Sequence, residues 1–436
     1  ANYKVNLFEL RKDYRSPKQD QAGTGSANSS LHGQLTNTTK RSINLALSHR
    51  GLCALRAVGL EKEVLKNSVA MEGRAIHPAG ETDAQKIVFQ PYEHRPGHAI
   101  YSISREELNT VLLDELDKMS NVKMTFNARF ENIDKDKGAA IYKPFTANFK
   151  STIGPQTYAQ DCKFVVGADG AFSRVREELG RLVRLNFNRQ YIDHGYKELT
   201  IPALPGGKYA MFANALHIWP RHEFMLIGLP NQDGSFTCTL FMPFEDLDKL
   251  KTEEDVISFF KQYFPDIAAN DFKLMPTLVQ DFFANPTSSL LSITCSPWNY
   301  KGKMVILGDS SHATVPFYGQ GMNAGFEDSL RLFELLQEHN YDTEATFKQF
   351  SKEMVPSREG LCEVSLDNYV EMRSKTASPL FALKKRVDSI LSDIVPNWLP
   401  LYTMVTFTRI PYHEAIQRAQ RQDKILLGAL WAGAGA

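Results

Sequence analysis

Asp309 is the side chain of this sequence best placed to do chemistry, because of what surrounds it. It follows the short apolar run Met304–Leu307 across a single glycine, Gly308, and such a run has the texture of a buried parallel strand. A carboxylate at a strand C-terminus is well placed to accept hydrogen bonds from the hydroxyls of a ribose. The stretch Pro316–Gly321 punctuates a loop, and a helix is expected to begin near Met322 or Asn323. The first N–H groups of such a helix lack intrahelical acceptors and carry the positive end of the macrodipole, so they stabilise negative charge. Gly319, Gly321 and Gly325 allow backbone to approach closely without Cβ clashes.

A second strand end repeats the theme. In Phe164-Val-Val-Gly-Ala-Asp-Gly-Ala-Phe-Ser-Arg-Val-Arg176 an apolar run delivers Asp169-Gly170 to a turn, and a helix carrying Arg174 and Arg176 follows. Together with Met304-Val-Ile-Leu-Gly-Asp-Ser-Ser-His-Ala-Thr-Val-Pro-Phe-Tyr-Gly-Gln-Gly-Met-Asn-Ala-Gly-Phe-Glu-Asp328, this segment resembles the two later FAD motifs of the flavoprotein aromatic hydroxylases. The resemblance implies FAD as the cofactor, NADPH as its reductant and O₂ as the oxygen source. It further implies hydroxylation of an aromatic ring through a flavin C4a-hydroperoxide, with no protein nucleophile and no metal.

A chain of 436 residues suits two intimately joined domains that hold these motifs in place. Hydrophobic residues make up 43% and charged residues 23%, as in a soluble globular protein. Formal net charge is zero, which gives no electrostatic case for nucleic acid. The five cysteines are scattered, with no Cys-x-x-Cys pair, which argues against a disulfide framework or a zinc site. Tyr3–Leu10 reads as a strand carrying Glu9 at its end, and Arg15–Thr39 as a polar mobile loop. Helical spacing runs over Ser42–Leu65 and Arg105–Met119, the second opened by the capping-box pattern Ser104-Arg-Glu-Glu107. From Tyr191 to Phe244 the texture turns to strands, at Tyr209–Phe212, His217–Trp219, Phe224–Leu229 and Ser235–Met242, with a turn at Asp233-Gly234. A helix with a Thr-x-x-Asp start is expected over Thr252–Phe264, and after Met304 the chain reads as mostly helical.

The expected fold is therefore α/β (α+β overall): a doubly wound, Rossmann-like FAD-binding domain interrupted by an antiparallel-sheet substrate domain, with a helical C-terminal region. Residues 1–70, 100–185 and 296–345 are assigned to the first, 71–99 and 186–295 to the second, and 346–424 to the third. The family's opening Gly-x-Gly-x-x-Gly turn, which cradles the FAD pyrophosphate, does not follow any strand of this sequence. A longer parent protein is the expected explanation. Residues 425–436 are uncharged and preceded by Arg418, Arg421 and Lys424, a pattern that fits the start of a membrane anchor with its basic end cytosolic.

Further segments, among them Arg41–Gly51, Leu216–Arg221, Ser235–Glu245, Leu399–Phe407 and Tyr412–Ala415, are similar to the branch of the family that converts L-kynurenine to 3-hydroxy-L-kynurenine. That branch implies a mitochondrial outer-membrane location on the cytosolic face. Its substrate contacts carry over to Arg74, Tyr92, Asn368 and Tyr402, and a guanidinium suits the carboxylate of an amino acid. Its cofactor contacts carry over to Glu9, Arg11, Ala46, Arg105, Asp169, Gly170, Arg174, Gly308, Asp309, Gly321, Met322 and Asn323. Phe317 and Tyr318 are expected to line the ring slot. Two other readings remain open: a hydroxylase of phenolic acids, and a protein that binds kynurenine-like acids without FAD.

Overall fold

The computed structural model describes residues 3–16, 44–83, 86–92, 98–134, 145–374, 387–388, 391–392, 394–395 and 397–434. The polar stretch expected to be a loop lies outside these residues beyond Ser16. The chain opens with β1 (Val5–Phe8), β2 (Asn44–Leu47), α1 (His49–Ala57), α2 (Glu61–Lys66), β3 (Val69–Met71), β4 (Gly73–Ile76), β5 (Val88–Pro91) and β6 (Ile100–Ser104). Next come α3 (Arg105–Asp117), β7 (Val122–Thr125), β8 (Ala128–Ile133), β9 (Phe145–Ser151), β10 (Thr157–Cys162), β11 (Val165–Gly167) and α4 (Arg174–Leu182). The middle of the chain holds β12 (Asn186–Ile201), β13 (Ala215–Arg221), β14 (Phe224–Pro230), β15 (Phe236–Pro243), α5 (Phe244–Leu247), α6 (Glu253–Tyr263), α7 (Pro265–Phe272) and α8 (Leu278–Ala284). It closes with β16 (Ser288–Ser296), β17 (Asn299–Tyr300), β18 (Met304–Ile306), α9 (Asp309–His312), α10 (Gly321–Glu338), α11 (Thr343–Ser374), α12 (Leu401–Phe407) and α13 (Tyr412–Ala434).

Outside the large sheet, the parallel strands fall in two groups. β1 pairs with β7 (Val5 opposite Val122), and β11 pairs with β18 (Val165 opposite Met304). Met304, Val305 and Ile306 are all buried, as a strand covered on both faces requires. They pack with Val175 and Leu179 of α4, Leu332 and Leu335 of α10, and Phe347 and Phe350 of α11. Val5 and Val166 remain 45% and 41% exposed, so the edges of both groups reach solvent.

The larger sheet has seven strands in the order β16-β12-β15-β14-β13-β4-β5. It is antiparallel except where β4 lies parallel to β13. Alternation gives it two unlike faces. Trp219, Leu226, Cys238 and Leu240 pack under α6, α7 and α8 with Val256, Phe260, Ile267 and Phe282. On the other face, Ile218, Met225 and Phe241 meet Phe317 and Tyr369. Each large apolar side chain buried here contributes about 1.5–3 kcal/mol. The Thr252–Asp255 capping box forms as its sequence predicts, with both reciprocal bonds present.

Three local expectations need correction. Residues 44–47 are strand rather than helix, because Ala46 and Leu47 pair with Ser102 and Tyr101 of β6; the helix begins only after the extended Ser48. Tertiary pairing has overridden helical spacing. Ser104 makes no side-chain cap on α3; it is still paired with Asn44 in the strand ladder. Tyr209–Phe212 is not a strand, and the chain turns there after Gly206 and Gly207, both at positive φ. Among the described residues no helix is long and apolar enough to cross a membrane, α13 included.

Candidate functional site

Arg74 lies on β4, cross-strand from Leu216 of β13, and is buried. Alternation puts it on the sheet face that carries Ile218 and Met225, away from the helical layer. Its guanidinium sits 4.6 Å from the Tyr402 ring centroid and 5.9 Å from that of Tyr92. Tyr92 and Tyr402 stack at 5.3 Å, and Tyr318 also stacks on Tyr402, at 5.7 Å. The Tyr92 hydroxyl is buried without a hydrogen-bond partner among the described residues, although Arg74 and Tyr402 adjoin it. Burial first, then neighbouring Tyr402, push its pKa well above the ordinary tyrosine value, so it stays protonated as a donor.

The apolar wall beside this cluster is shared. Leu216 and Ile227, both only partly buried, pack against the Phe317–Tyr369 cluster and also against the cluster containing Tyr92, Ala46 and Phe407. Phe317 and Tyr318 separate: Phe317 stacks on Tyr369 at 4.0 Å within the core, and only Tyr318 faces Tyr402. Asn368 holds this loop from α11, its Nδ2 donating to the Phe317 carbonyl at 2.7 Å.

The cofactor residues form a second constellation next to it. Gly308 takes φ +60° and Gly319 φ +67°, conformations that favour glycine. Gly308 and Gly325 approach so closely that a Cβ on Gly325 would stand 3.7 Å from the Gly308 Cα. α10 starts at Gly321, one residue before the range its sequence predicts, with no side-chain cap and no acidic residue in its first turn. Asn323 acts through its side chain. Its Oδ1 accepts from the Ser48 N–H at 2.8 Å, and its Nδ2 donates to the Ala46 and Gly319 carbonyls at 2.8 and 2.9 Å. This fastens the end of β2 to the helix start. Met322 packs its side chain into the cluster around Leu47 and Leu55, so only its backbone is left to meet a ligand.

Asp309 is exposed in area, yet protein surrounds it closely enough that burial raises its carboxyl pKa, against lowering by His312 and Arg105. That carboxylate, the uncapped and acid-free start of α10, and the glycine-lined approach fit FAD: a polyol acceptor, an electropositive helix end and room for backbone contact.

The remaining assigned residues hold turns. Glu9 accepts from the Arg11 N–H at 2.9 Å, and its backbone bonds Thr125 and Ala128; these contacts do not reach Asp309. Asp169 caps α4, accepting from the Ser173 hydroxyl at 2.5 Å and from the Arg174 and Val175 N–H groups at 2.8 and 3.1 Å. Gly170 sits at φ +80° with open space beside it. Arg174 lies 3.5 Å from Glu131.

Several residues escaped sequence reasoning. Gln320 is buried and links the Ser48 hydroxyl to the Tyr412 hydroxyl, each at 3.2 Å. Arg50 bonds Glu327 at 2.8 and 2.9 Å and also the Ile410 carbonyl. Arg358 bonds Asp328 and Glu327, and the Tyr412 ring lies between the two guanidinia at 4.0 and 5.3 Å. This buried network joins α1, α10, α11 and the segment bearing Tyr402. Ser48, Arg50, Gln320, Glu327, Asp328 and Tyr412 stand inside family-like motifs, but their spacing along the chain does not show that they meet.

Comparison with known proteins gives the family and the fold. The FAD binding domain family matches residues 33–353. Kynurenine 3-monooxygenase of Sus scrofa is 41% identical over 99% of this chain and 84% of its own. The enzyme of the same name from Christiangramia forsetii is 43% identical over 97% of this chain and 88% of its own. Among solved structures, PqsL of Pseudomonas aeruginosa aligns with a TM-score of 0.64 at 16% identity, over 86% of this chain and 91% of that one. The tetrameric 2-methyl-3-hydroxypyridine-5-carboxylic acid oxygenase aligns at 0.63 and 16%, over 91% and 93%. At such identity these two structures establish the fold.

Proposed function

We propose, for a chain that belongs to the kynurenine 3-monooxygenases, that Arg74, Tyr92 and Tyr402 receive the amino-acid end of the substrate and the Leu216–Ile227 wall receives its ring. The chain is an FAD-dependent monooxygenase that hydroxylates L-kynurenine, with O₂ as co-substrate and NADPH the usual reductant of the family. FAD, when bound, supplies the oxygen-activating chemistry and takes its electrons from NADPH. The observation that carries the site assignment is Arg74, a buried guanidinium laid against two tyrosine rings beside an orphaned hydroxyl.

The protein's own part is placement. Arg74 offers planar N–H donors to a carboxylate, and the Tyr92 hydroxyl donates to a second oxygen or to the ketone. Leu216, Ile227 and Phe407 keep water from the reacting ring. Asn368 sets the loop that closes the slot, through the Phe317 carbonyl. The backbone N–H groups of Gly321, Met322 and Asn323 would hold the flavin's negative edge, and Asp309 its polyol chain. The supporting test is L-kynurenine-dependent NADPH oxidation by the FAD-supplemented protein, with 3-hydroxy-L-kynurenine and hydrogen peroxide both quantified. Hydroxylated product matching NADPH consumed is the expected result; bound flavin that ignores kynurenine would refute the substrate site.

The outer-membrane address belongs to the same proposal. Its support is the order of Arg418, Arg421 and Lys424 ahead of the apolar run from Ile425. Cofractionation of the full-length protein with outer-membrane vesicles, lost when the chain is cut before Ile425, is the expected outcome.

A further inference from the structure

A polar cluster lies on the opposite face of the sheet from Arg74, outside the site. His77 follows β4 directly, three residues after Arg74. Its Nδ1 is 2.9 Å from Asp266 Oδ2, and its Nε2 is 2.9 Å from His217 Nδ1 on β13. The His217 Nε2 is 2.9 Å from the Phe212 carbonyl, and Trp219 Nε1 donates to the same Asp266 Oδ2 at 2.6 Å. The His77 ring stacks on Trp219 at 3.9 Å. Main-chain bonds grip the same residue: its N–H donates to the Ile218 carbonyl at 2.9 Å, and its carbonyl accepts from Arg221 Nη1 at 3.0 Å. His77 and His217 are both buried.

The Phe212 carbonyl can only accept, so His217 Nε2 carries a hydrogen. Burial lowers the pKa of both imidazoles, that of His217 to about 4. Burial would raise the Asp266 carboxyl, but its bonds from His77 and Trp219 outweigh it, with Arg221 adding to them, so it lies below the ordinary carboxylate value. The carboxylate is thus the charged member of the trio, and Arg221 supplies its counter-charge.

The location gives the trio its significance. β4 is the one strand of the sheet that runs parallel to its neighbour β13. A one-residue slip in a strand turns every side chain to the other face, which would carry Arg74 out of the site and into the helical layer. Every partner of His77 in this cluster lies on β13, on the residues just before it, or on α7. We propose that His77, His217 and Asp266 are positioning residues for Arg74: they pin the register of β4 so that the guanidinium meets the substrate carboxylate. This rests on the assignment of Arg74 made above.

The test is a double-mutant cycle on the FAD-supplemented full chain, read by equilibrium titration with L-kynurenine and with its decarboxylated amine. Asp266→Asn keeps the shape but removes the negative charge that draws the His77 and Trp219 N–H groups. It should weaken L-kynurenine binding roughly tenfold, a coupling ordinary for networked residues. It should change binding of the amine by less than about twofold and add nothing in an Arg74→Ala background. Weakening of acid and amine alike, additivity with Arg74→Ala, or unchanged binding would each overturn the proposal. His77→Phe, which keeps the stack on Trp219 and loses both ring bonds, should give the same pattern and serves if Asp266→Asn does not fold. If Arg74→Ala itself leaves L-kynurenine binding unchanged, the Arg74 assignment fails, and the cycle shows that separately.

Discussion

Two buried arginine clusters sit a short way apart and are built on opposite plans. Around Arg50 and Arg358, guanidinia meet carboxylates: Glu327 and Asp328 bond both edge and end, and the Tyr412 ring fills the space between. Around Arg74, the guanidinium meets the faces of Tyr402 and Tyr92. A carboxylate engages a guanidinium through its N–H edge, whereas a ring engages its flat face. The first arrangement is complete in itself and welds four segments of chain together. The second sets the guanidinium beside a buried tyrosine hydroxyl and the partly buried Leu216 and Ile227, the arrangement proposed above to receive a carboxylate.

The contrast can be broken most severely at Arg358. Arg358→Met keeps volume but takes the guanidinium from Asp328, leaving it the Gly308 N–H and His312, and loss of one partner of a buried pair costs about 3–5 kcal/mol; denaturant unfolding of the FAD-supplemented protein should show it. Burial alone would raise the Asp328 carboxyl, and Arg358 and His312 outweigh it, so its folded pKa lies below the ordinary value. Such a group stabilises the fold above the unfolded pKa of about 3.9 and loses that contribution as pH falls. Arg358→Met raises the folded pKa of Asp328 toward or past the unfolded one, so the acid-side loss that Asp328 contributes should shrink or reverse. Next in size is Arg74→Ala, expected to weaken L-kynurenine binding by about 2–4 kcal/mol while residual peroxide-forming NADPH oxidation falls far less. Equal loss of both would count against the binding role.

Gly51→Ala sharpens the comparison at the junction of the two clusters. A Cβ there would stand 2.6 Å from both Asn323 Oδ1 and Leu47 Cδ1, so overpacking should cost about 1–3 kcal/mol. Because Asn323 sets the start of α10, the FAD content of the purified protein should drop with it. The smallest effect is expected at Tyr412→Phe, which removes only the bond to Gln320. A loss of about 0.5–1.5 kcal/mol in stability, with substrate affinity unchanged, would place Tyr412 on the structural side of the contrast.

Local chemistry was readable along the chain and distant chemistry was not. The Gly308-Asp309 turn, the glycines before α10 and the Thr252 capping box depend on residues within a few positions of one another, and all three stand where the pattern puts them. Residues 44–47 defeated the helical pattern because their partner strand lies some sixty residues away. The bonds Arg50–Glu327 and His77–Asp266 span 277 and 189 residues, and no local spacing announces such a pair. Asn323 was legible as a position but not as a mechanism. Its side chain, rather than its N–H alone, ties β2 to the flavin helix, which depends on how closely Ser48 and Ala46 approach. The Arg74 group came from family resemblance, since a strand arginine carries no mark of what it will face.

The measurement that tests the account most directly compares the affinity of L-kynurenine with that of its decarboxylated amine, in the unaltered FAD-supplemented protein and in Arg74→Ala. A site built around Arg74 predicts that the unaltered protein prefers the acid by roughly tenfold or more and that Arg74→Ala prefers neither. Retention of the full preference in Arg74→Ala would contradict it, and would move the carboxylate to another part of the pocket.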